Sequence, residues 1–92
     1  MATSEEVVAF TIESLEDMNI LVDGVDEETT IGPLGVDLDS IAVSELAFRI
    51  EDRYGVSFFE DEVERLGGMT LGEFGEIVAE RAMQEQFEGA VL

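Results

Sequence analysis

The clearest helix signal in the sequence is LGVDLDSIAVSEL, from Leu34 to Leu46. In it, Asp39 and Ser40 stand directly before apolar residues that recur with the period of a helix. Both residue types are favoured at helix starts, where their side chains accept hydrogen bonds from otherwise unpaired amides. We therefore predict a helix that begins at about Ser40, with Asp39 or Ser40 as its cap.

This helix should run to about Tyr54, because Gly55 follows at a position where helices commonly end in a left-handed residue. Its core-facing stripe comprises Val43, Leu46, Ala47, Ile50 and Tyr54.

A second set of residues on the same helix, spaced by four, three and four, should form an outward ridge. The ridge comprises Ile41, Glu45, Phe48 and Asp52. Two large apolar side chains on the solvent face of an acidic helix indicate a surface for a basic and hydrophobic partner. The alternative is that Ile41 and Phe48 pack under the preceding connection or against the next helix.

Working outward, three further helices are predicted. The first runs from about Ser4 to Met18, with a capping box at Thr3 and Glu6. The third is short, with a box from Ser57 to Glu60 and an end near Gly67-Gly68. The fourth opens with a box from Thr70 to Glu73. The stripe expected for the first helix is Val8, Ile12, Leu15 and Met18, and that for the fourth is Leu71, Phe74, Ile77, Val78 and Ala82.

The first connection, from Asn19 to Asp39, is long for a compact domain, and its apolar residues predict that it is held against the core. These residues are Ile20, Leu21, Val25, Ile31, Leu34, Val36 and Leu38. The last stretch, residues 83–92, has no clear period, and we expect it to fray. The predicted fold is all-α: a small four-helix bundle in one domain, 1–92, with its core in about 4–82.

Composition narrows the possible functions. The chain has 92 residues and 46% hydrophobic residues, enough for one modest core, and a net charge of −19. The negative electrostatic field of such a protein repels nucleic acid and anionic membranes and favours encounters with basic protein surfaces. We expect a monomer. The start of the sequence lacks the features of a signal peptide and no apolar run is long enough to span a membrane, so a cytoplasmic location is the default expectation.

The residue types that are missing argue against catalysis. The chain has no Cys and no His, and its four cationic side chains are all arginines. Thiol nucleophiles, imidazole bases and lysine Schiff bases are therefore excluded. Nothing selects a catalytic pair from the 23 acidic residues, and a bundle of this size should offer little room for a buried cleft. A dedicated calcium loop starting at Asp37 is rejected, because it lacks the glycine and glutamate such loops need, and we expect no metal site.

Together, Asp39-Ser40-Ile41, Glu45-Leu46 and Tyr54-Gly55-Val56 resemble the core motif of acyl carrier proteins, over roughly residues 5–81. The resemblance implies that Ser40 carries 4′-phosphopantetheine donated by coenzyme A, with Asp39 beside the attachment point. Ile41, Glu45, Phe48 and Asp52 would form the recognition ridge. The arm would hold acyl groups as thioesters for fatty acid or polyketide synthesis, and the carrier would have no catalytic activity. Partners would be a phosphopantetheinyl transferase and acyl-loading, ketosynthase and tailoring enzymes with basic patches.

Two alternatives stay open. A peptidyl or aminoacyl carrier of a nonribosomal assembly line would share the fold, the serine and the arm. An unmodified acidic module that binds a basic protein surface would need no modification, and its activity would survive mutation of Ser40.

Overall fold

The computed structural model describes residues 3–32, 35–36 and 38–91, and for residues 83–91 it describes the backbone alone. The fold is the predicted all-α four-helix bundle. It consists of α1 (Ser4–Asp17), α2 (Ser40–Tyr54), α3 (Glu60–Arg65) and α4 (Leu71–Val91), with a 3-10 turn (Leu66–Gly68) between α3 and α4. Within the described residues the β pairing is limited to one isolated bridge, between Thr30 and Thr70.

Two of the predicted helix starts are confirmed by their hydrogen bonds. The Glu6 amide donates to Thr3 Oγ1 at 3.2 Å. At α4 the box is reciprocal, because the Glu73 amide donates to Thr70 Oγ1 at 3.1 Å and the Thr70 amide donates to the Glu73 carboxylate at 3.0 Å. Each bond satisfies an amide that the helix itself leaves without an acceptor.

The predicted start of α3 is wrong. The helix begins at Glu60 rather than near Ser57, and the Phe59 amide donates to Glu62 Oε1 at 3.0 Å. The carboxylate three residues after Phe59 supplies the acceptor, so the chain turns into the helix later than the Ser57 pattern suggested. None of the residues of α3 is buried.

The core-facing stripe of α1 is also corrected. The buried residues are Val7, Thr11, Ser14 and Leu15, so of the predicted stripe only Leu15 is buried. Val8, Ile12 and Met18 are half-buried. Thr11 is tolerated in the interior because its hydroxyl donates to the Val7 carbonyl at 2.7 Å. A pattern that counts apolar residues cannot detect such a position, and the helix is therefore rotated from the expected setting.

The first connection is held against the bundle by backbone hydrogen bonds, as predicted. The Ile31 amide donates to the Met69 carbonyl and the Gly32 amide to the Gly67 carbonyl, both at 2.9 Å. The Leu71 amide donates to the Thr29 carbonyl, also at 2.9 Å. Ile31 and Leu38 are buried, but Leu21 is 82% exposed, which corrects its place among the anchors. Leu34 lies outside the described residues. A Cβ on Gly32 would lie 2.4 Å from the Gly67 carbonyl oxygen, so this contact requires glycine.

The core lies between α1, α2 and α4. The predicted stripe of α2 is confirmed, with Tyr54 half-buried, and so is that of α4, with Ile77 half-buried. Gly55 ends α2 in the predicted left-handed conformation, with φ of 70°. Gly75 lets α4 approach α1 closely, because a Cβ there would lie 2.8 Å from the Ser4 carbonyl oxygen.

The C-terminal helix is longer than predicted. Its helical backbone continues to Val91, beyond the core expected to end at about residue 82, and fraying of this last stretch stays a prediction. Leu92 lies outside the described residues. Six of the nine residues from 83 to 91 are Met, Gln, Glu or Ala, which favour helices by their intrinsic propensity. The periodicity used for the prediction reports packing rather than propensity.

Candidate functional site

The candidate site lies at the start of α2, where the structure separates the roles of Asp39 and Ser40. Asp39 is the N-cap: its backbone is extended and its Oδ1 accepts the Ala42 amide at 2.8 Å. Ser40 is the first residue of the helix and is exposed. Among the described residues, its hydroxyl makes no hydrogen bond. Because Asp39 supplies the cap, the Ser40 hydroxyl is not needed to stabilise the helix end.

The backbone around Ser40 favours an anion. The amides of Ser40 and Ile41 belong to the first turn of a helix of 15 residues, where amides have no partner within the helix. The aligned peptide dipoles add a partial positive charge at this end. An ester of phosphate on the hydroxyl would therefore meet a favourable local field, although the net charge of the protein is strongly negative.

An open cavity of about 460 Å³ begins at Ser40 and lies between α2 and α3. Its apolar wall includes Leu38, Val43 and Val63, and Ser40 and Ser44 lie along its edge. This cavity is open to solvent, whereas the sequence-based expectation concerned a buried cleft, so that expectation stays a prediction. The short helix α3, which has no buried residue, forms one side of this cavity with Glu60, Val63 and Glu64. A flexible group attached to Ser40 would have an apolar surface within reach.

The outer wall of this cavity is held in place by an ion pair. Arg81 on α4 donates to both carboxylate oxygens of Glu62 on α3, and also to the Ser57 carbonyl at 3.1 Å. The hydrogen bonds from Arg81, followed by the one from the Phe59 amide, lower the pKa of Glu62. The guanidinium also lies 5.4 Å from the centre of the Phe58 ring. The side chains of Arg81 and Glu62 are only 30% and 22% exposed, so solvent screens the pair less than a surface pair.

The ridge predicted on α2 is exposed. Ile41 is 80% exposed and Phe48 is 67% exposed, which excludes the alternative that they pack inside the domain. Glu45 and Asp52 are exposed as well. The guanidinium nitrogens of Arg49 lie 3.7 Å from a carboxylate oxygen of Glu45 and 3.8 Å from one of Asp17. Part of the acidic charge on this face is therefore compensated. The structure places Ser40 at one end of this face, next to Ile41.

Three further features of the site were not predicted: the cavity, the ion pair that fixes α3, and the position of Ser44. The spacing of Ser44, one turn after Ser40, offered a signal for the last. The first two depend on how α3 and α4 meet, and Glu62 and Arg81 are 19 residues apart in the sequence. No local pattern reports such a contact.

Comparison with protein-family models, with curated proteins and with solved structures finds no match to this chain. Within the described residues, no helix combines the length and the apolar character needed to cross a membrane.

Proposed function

We propose that this protein is an acyl carrier protein, in which Ser40 carries a 4′-phosphopantetheine arm and α2 presents the arm to partner enzymes. The observation that carries the proposal is the exposed Ser40 hydroxyl: Asp39 caps the helix, so this hydroxyl is left free beside an apolar cavity. The resemblance of the Asp39-Ser40-Ile41 region to acyl carrier proteins supports the same residue.

The residues around Ser40 fit the proposed group. The amides of the first turn of α2 would face the phosphate, and the wall formed by Val43 and Val63 would contact the apolar parts of the arm or its cargo. When bound, 4′-phosphopantetheine supplies a thiol, which can hold an acyl group as a thioester. Since the chain has no Cys, it contains no thiol of its own.

The attachment step defines what the partner must supply. A bond forms between Ser40 Oγ and the phosphorus that bears the pantetheine of coenzyme A, while the pyrophosphate bond breaks. The adenosine bisphosphate leaves with the bonding electron pair, and the serine proton passes to a base. The chain has no His or Lys, so an imidazole or lysine base for this step would come from the transferase. The carrier contributes a positioned hydroxyl and a docking face, and no catalysis.

The exposed ridge supports docking to basic partner surfaces. Ile41 and Phe48 would enter apolar pockets, and Asp52 and the other nearby carboxylates would meet arginine or lysine side chains. Such a partner would approach the face on which Ser40 lies. We propose that the carrier acts in the cytoplasm as a monomer, in fatty acid or polyketide synthesis, with acyl-loading, ketosynthase and tailoring enzymes as further partners.

The test is the intact mass of the protein after incubation with coenzyme A, magnesium and a promiscuous phosphopantetheinyl transferase. Wild type should gain the mass of one phosphopantetheine group, and Ser40→Ala should gain none. Ser44→Ala is the matched control, because Ser44 is exposed, lies on the edge of the same cavity and belongs to the same helix. It should be modified like wild type. Equal modification of Ser40→Ala, or no gain in folded wild type, would overturn the proposal and favour the acidic binding module.

A further inference from the structure

A second cavity lies on a different part of the surface, between α1 and the first connection. Its volume is about 390 Å³, and it shares no lining residue with the cavity beside Ser40. It is lined by Glu5, Val8, Ala9, Ile12, Val25, Asp26, Glu27 and Glu28. We call this feature the α1 groove.

The floor of the α1 groove is apolar. Val8 and Ile12 are half-buried and Ala9 is exposed, and these residues together with Glu5 follow the spacing of one helical stripe. Val8 and Ile12 pack against the edge of the core and leave part of their surface in the groove. The small side chain of Ala9 leaves space between its two larger neighbours. From Glu5 to Ile12 the stripe is about 10 Å long, or two turns of a helix.

The rim of the groove is acidic and fixed in place. Asp26 Oδ1 accepts the Glu28 amide at 2.9 Å, and the Asp26 amide donates to Thr29 Oγ1 at 3.0 Å. The Glu27 carbonyl accepts the Gly72 amide at 2.8 Å, which ties the rim to the start of α4. A rim that is ordered before binding loses little conformational entropy when a partner docks.

The rim carboxylates are available for a cationic partner. Among the described residues, the side chains of Glu5, Glu27 and Glu28 form no ion pair and no hydrogen bond. All four arginines of the chain are engaged elsewhere. Arg49 lies beside Asp17 and Glu45, and Arg53 lies over the Phe10 ring. Arg65 pairs with Asp61, and Arg81 pairs with Glu62. An apolar floor with uncompensated acidic edges is complementary to a partner with an apolar centre and basic flanks.

We propose that the α1 groove docks an amphipathic helical segment of a partner protein, whose one or two aliphatic side chains contact Val8 and Ile12 and whose flanking arginine or lysine residues meet Glu5, Glu27 and Glu28. The length and shape of the stripe fit helix-in-groove recognition. This site is independent of Ser40, and a partner bound there would leave the face of α2 free.

The experiment uses the full chain with Ser40→Ala, so its outcome does not depend on modification. The probe is an amphipathic peptide of about 14 residues, or four helical turns, that carries a leucine stripe flanked by arginines. A second peptide keeps the arginines and replaces the leucines with serines. Binding is measured by calorimetry at about 150 mM salt, which limits long-range attraction, and mapped by amide chemical shifts. We expect the leucine peptide to bind about tenfold more tightly, with the largest shifts in the groove.

Matched variants separate the groove from the overall negative charge. Glu5→Gln, Glu27→Gln and Glu28→Gln together should weaken binding about tenfold. The control triple, Glu13→Gln, Glu16→Gln and Asp23→Asn, removes the same charge from exposed positions outside the groove and should weaken it less than about threefold.

A second pair of variants tests the apolar floor. Ile12→Thr should weaken binding of the leucine peptide about tenfold, and Leu21→Thr, at an exposed position outside the groove, should not change it. Circular dichroism verifies that each variant is folded. The proposal would be overturned if the two triple variants lost peptide affinity equally, or if the two peptides bound equally well. Amide chemical-shift changes centred on the exposed ridge of α2 would also overturn it.

Discussion

Arg81 on α4 and Glu62 on α3 form a two-point ion pair that joins these helices across the sequence. The pair fixes the wall of the cavity beside Ser40, because Val63 and Glu64, which follow Glu62, line that cavity. Since α3 has no buried residue, its position depends on this contact and on half-buried side chains such as Val63. The contact therefore links the stability of α3 to the shape of the candidate site.

Removing the pair should loosen α3. Arg81→Met should lower the free energy of unfolding by about 1–2 kcal/mol, because the two hydrogen bonds are charge-assisted and partly shielded from solvent. Amide hydrogen exchange in α3 should accelerate more than in α1. The control is Arg65→Met, which breaks a pair with Asp61 whose side chains are 72% and 66% exposed and should cost less than about 0.5 kcal/mol. Equal effects of the two variants would contradict this role of Arg81.

The pair should also make the stability of the fold depend on pH. The folded protein lowers the pKa of Glu62 from 4.5, so ionised Glu62 stabilises the fold at pH values above 4.5. This contribution should be lost as the pH falls below 4.5 and through the folded pKa, where the carboxylate takes up a proton. Unfolding free energies of wild type and Glu62→Gln, measured from neutral pH down to about pH 3, should differ at neutral pH and converge in acid. If the difference in unfolding free energy between wild type and Glu62→Gln does not change with pH, ionised Glu62 is not the source of this stabilisation.

Asp39→Ala should reduce the stability of the fold, whereas Ser40→Ala should abolish modification and leave the stability almost unchanged. Asp39→Ala removes the cap of α2 and should lower the free energy of unfolding by about 1 kcal/mol. Ser40→Ala should change it by less than about 0.5 kcal/mol, because the hydroxyl is not the cap. Denaturant unfolding measures the stability of both variants, and intact mass measures their modification. If Ser40→Ala proved the more destabilising change, Ser40 would be a structural residue.

The exposed ridge should matter for partners and not for folding. Ile41→Ser and Phe48→Ser should each change the free energy of unfolding by less than about 0.5 kcal/mol, since both side chains are largely exposed. The kcat/KM of a phosphopantetheinyl transferase acting on these variants should fall about tenfold. Leu21→Ser provides the control, because Leu21 is as exposed but lies outside α2. A transferase that treats all three variants like wild type would exclude the ridge as its docking surface.

Much of the fold was predictable from local patterns. The bounds of α2 followed from the stripe that includes Val43 and Leu46, and its end followed from Gly55. The start of α4 followed from Thr70 and Glu73, whose reciprocal bonds are local in sequence. Helix caps and helical stripes are set by residues within a few positions of one another, so a single sequence carries this information.

The features that the sequence could not predict depend on contacts between helices, or on a buried hydroxyl group that donates its hydrogen bond within its own helix. The setting of α1 was missed because Thr11 is buried with its hydroxyl bonded to the Val7 carbonyl. The cavity beside Ser40 was missed because α3 forms one of its walls, and Arg81 on α4 holds α3 through Glu62. The exposure of Ile41 and Phe48 could be anticipated from their spacing, but only the packed structure excludes their burial under a neighbouring segment.

A count of thiols tests directly whether Ser40 carries the arm. The chain has no Cys, so a folded sample without the arm should contain no titratable thiol. After treatment with coenzyme A, magnesium and a promiscuous phosphopantetheinyl transferase, followed by removal of free coenzyme A, wild type should contain one thiol per chain and Ser40→Ala should contain none. One thiol that depends on Ser40 is the result predicted for a carrier. A folded wild-type protein that still contains no thiol would contradict it.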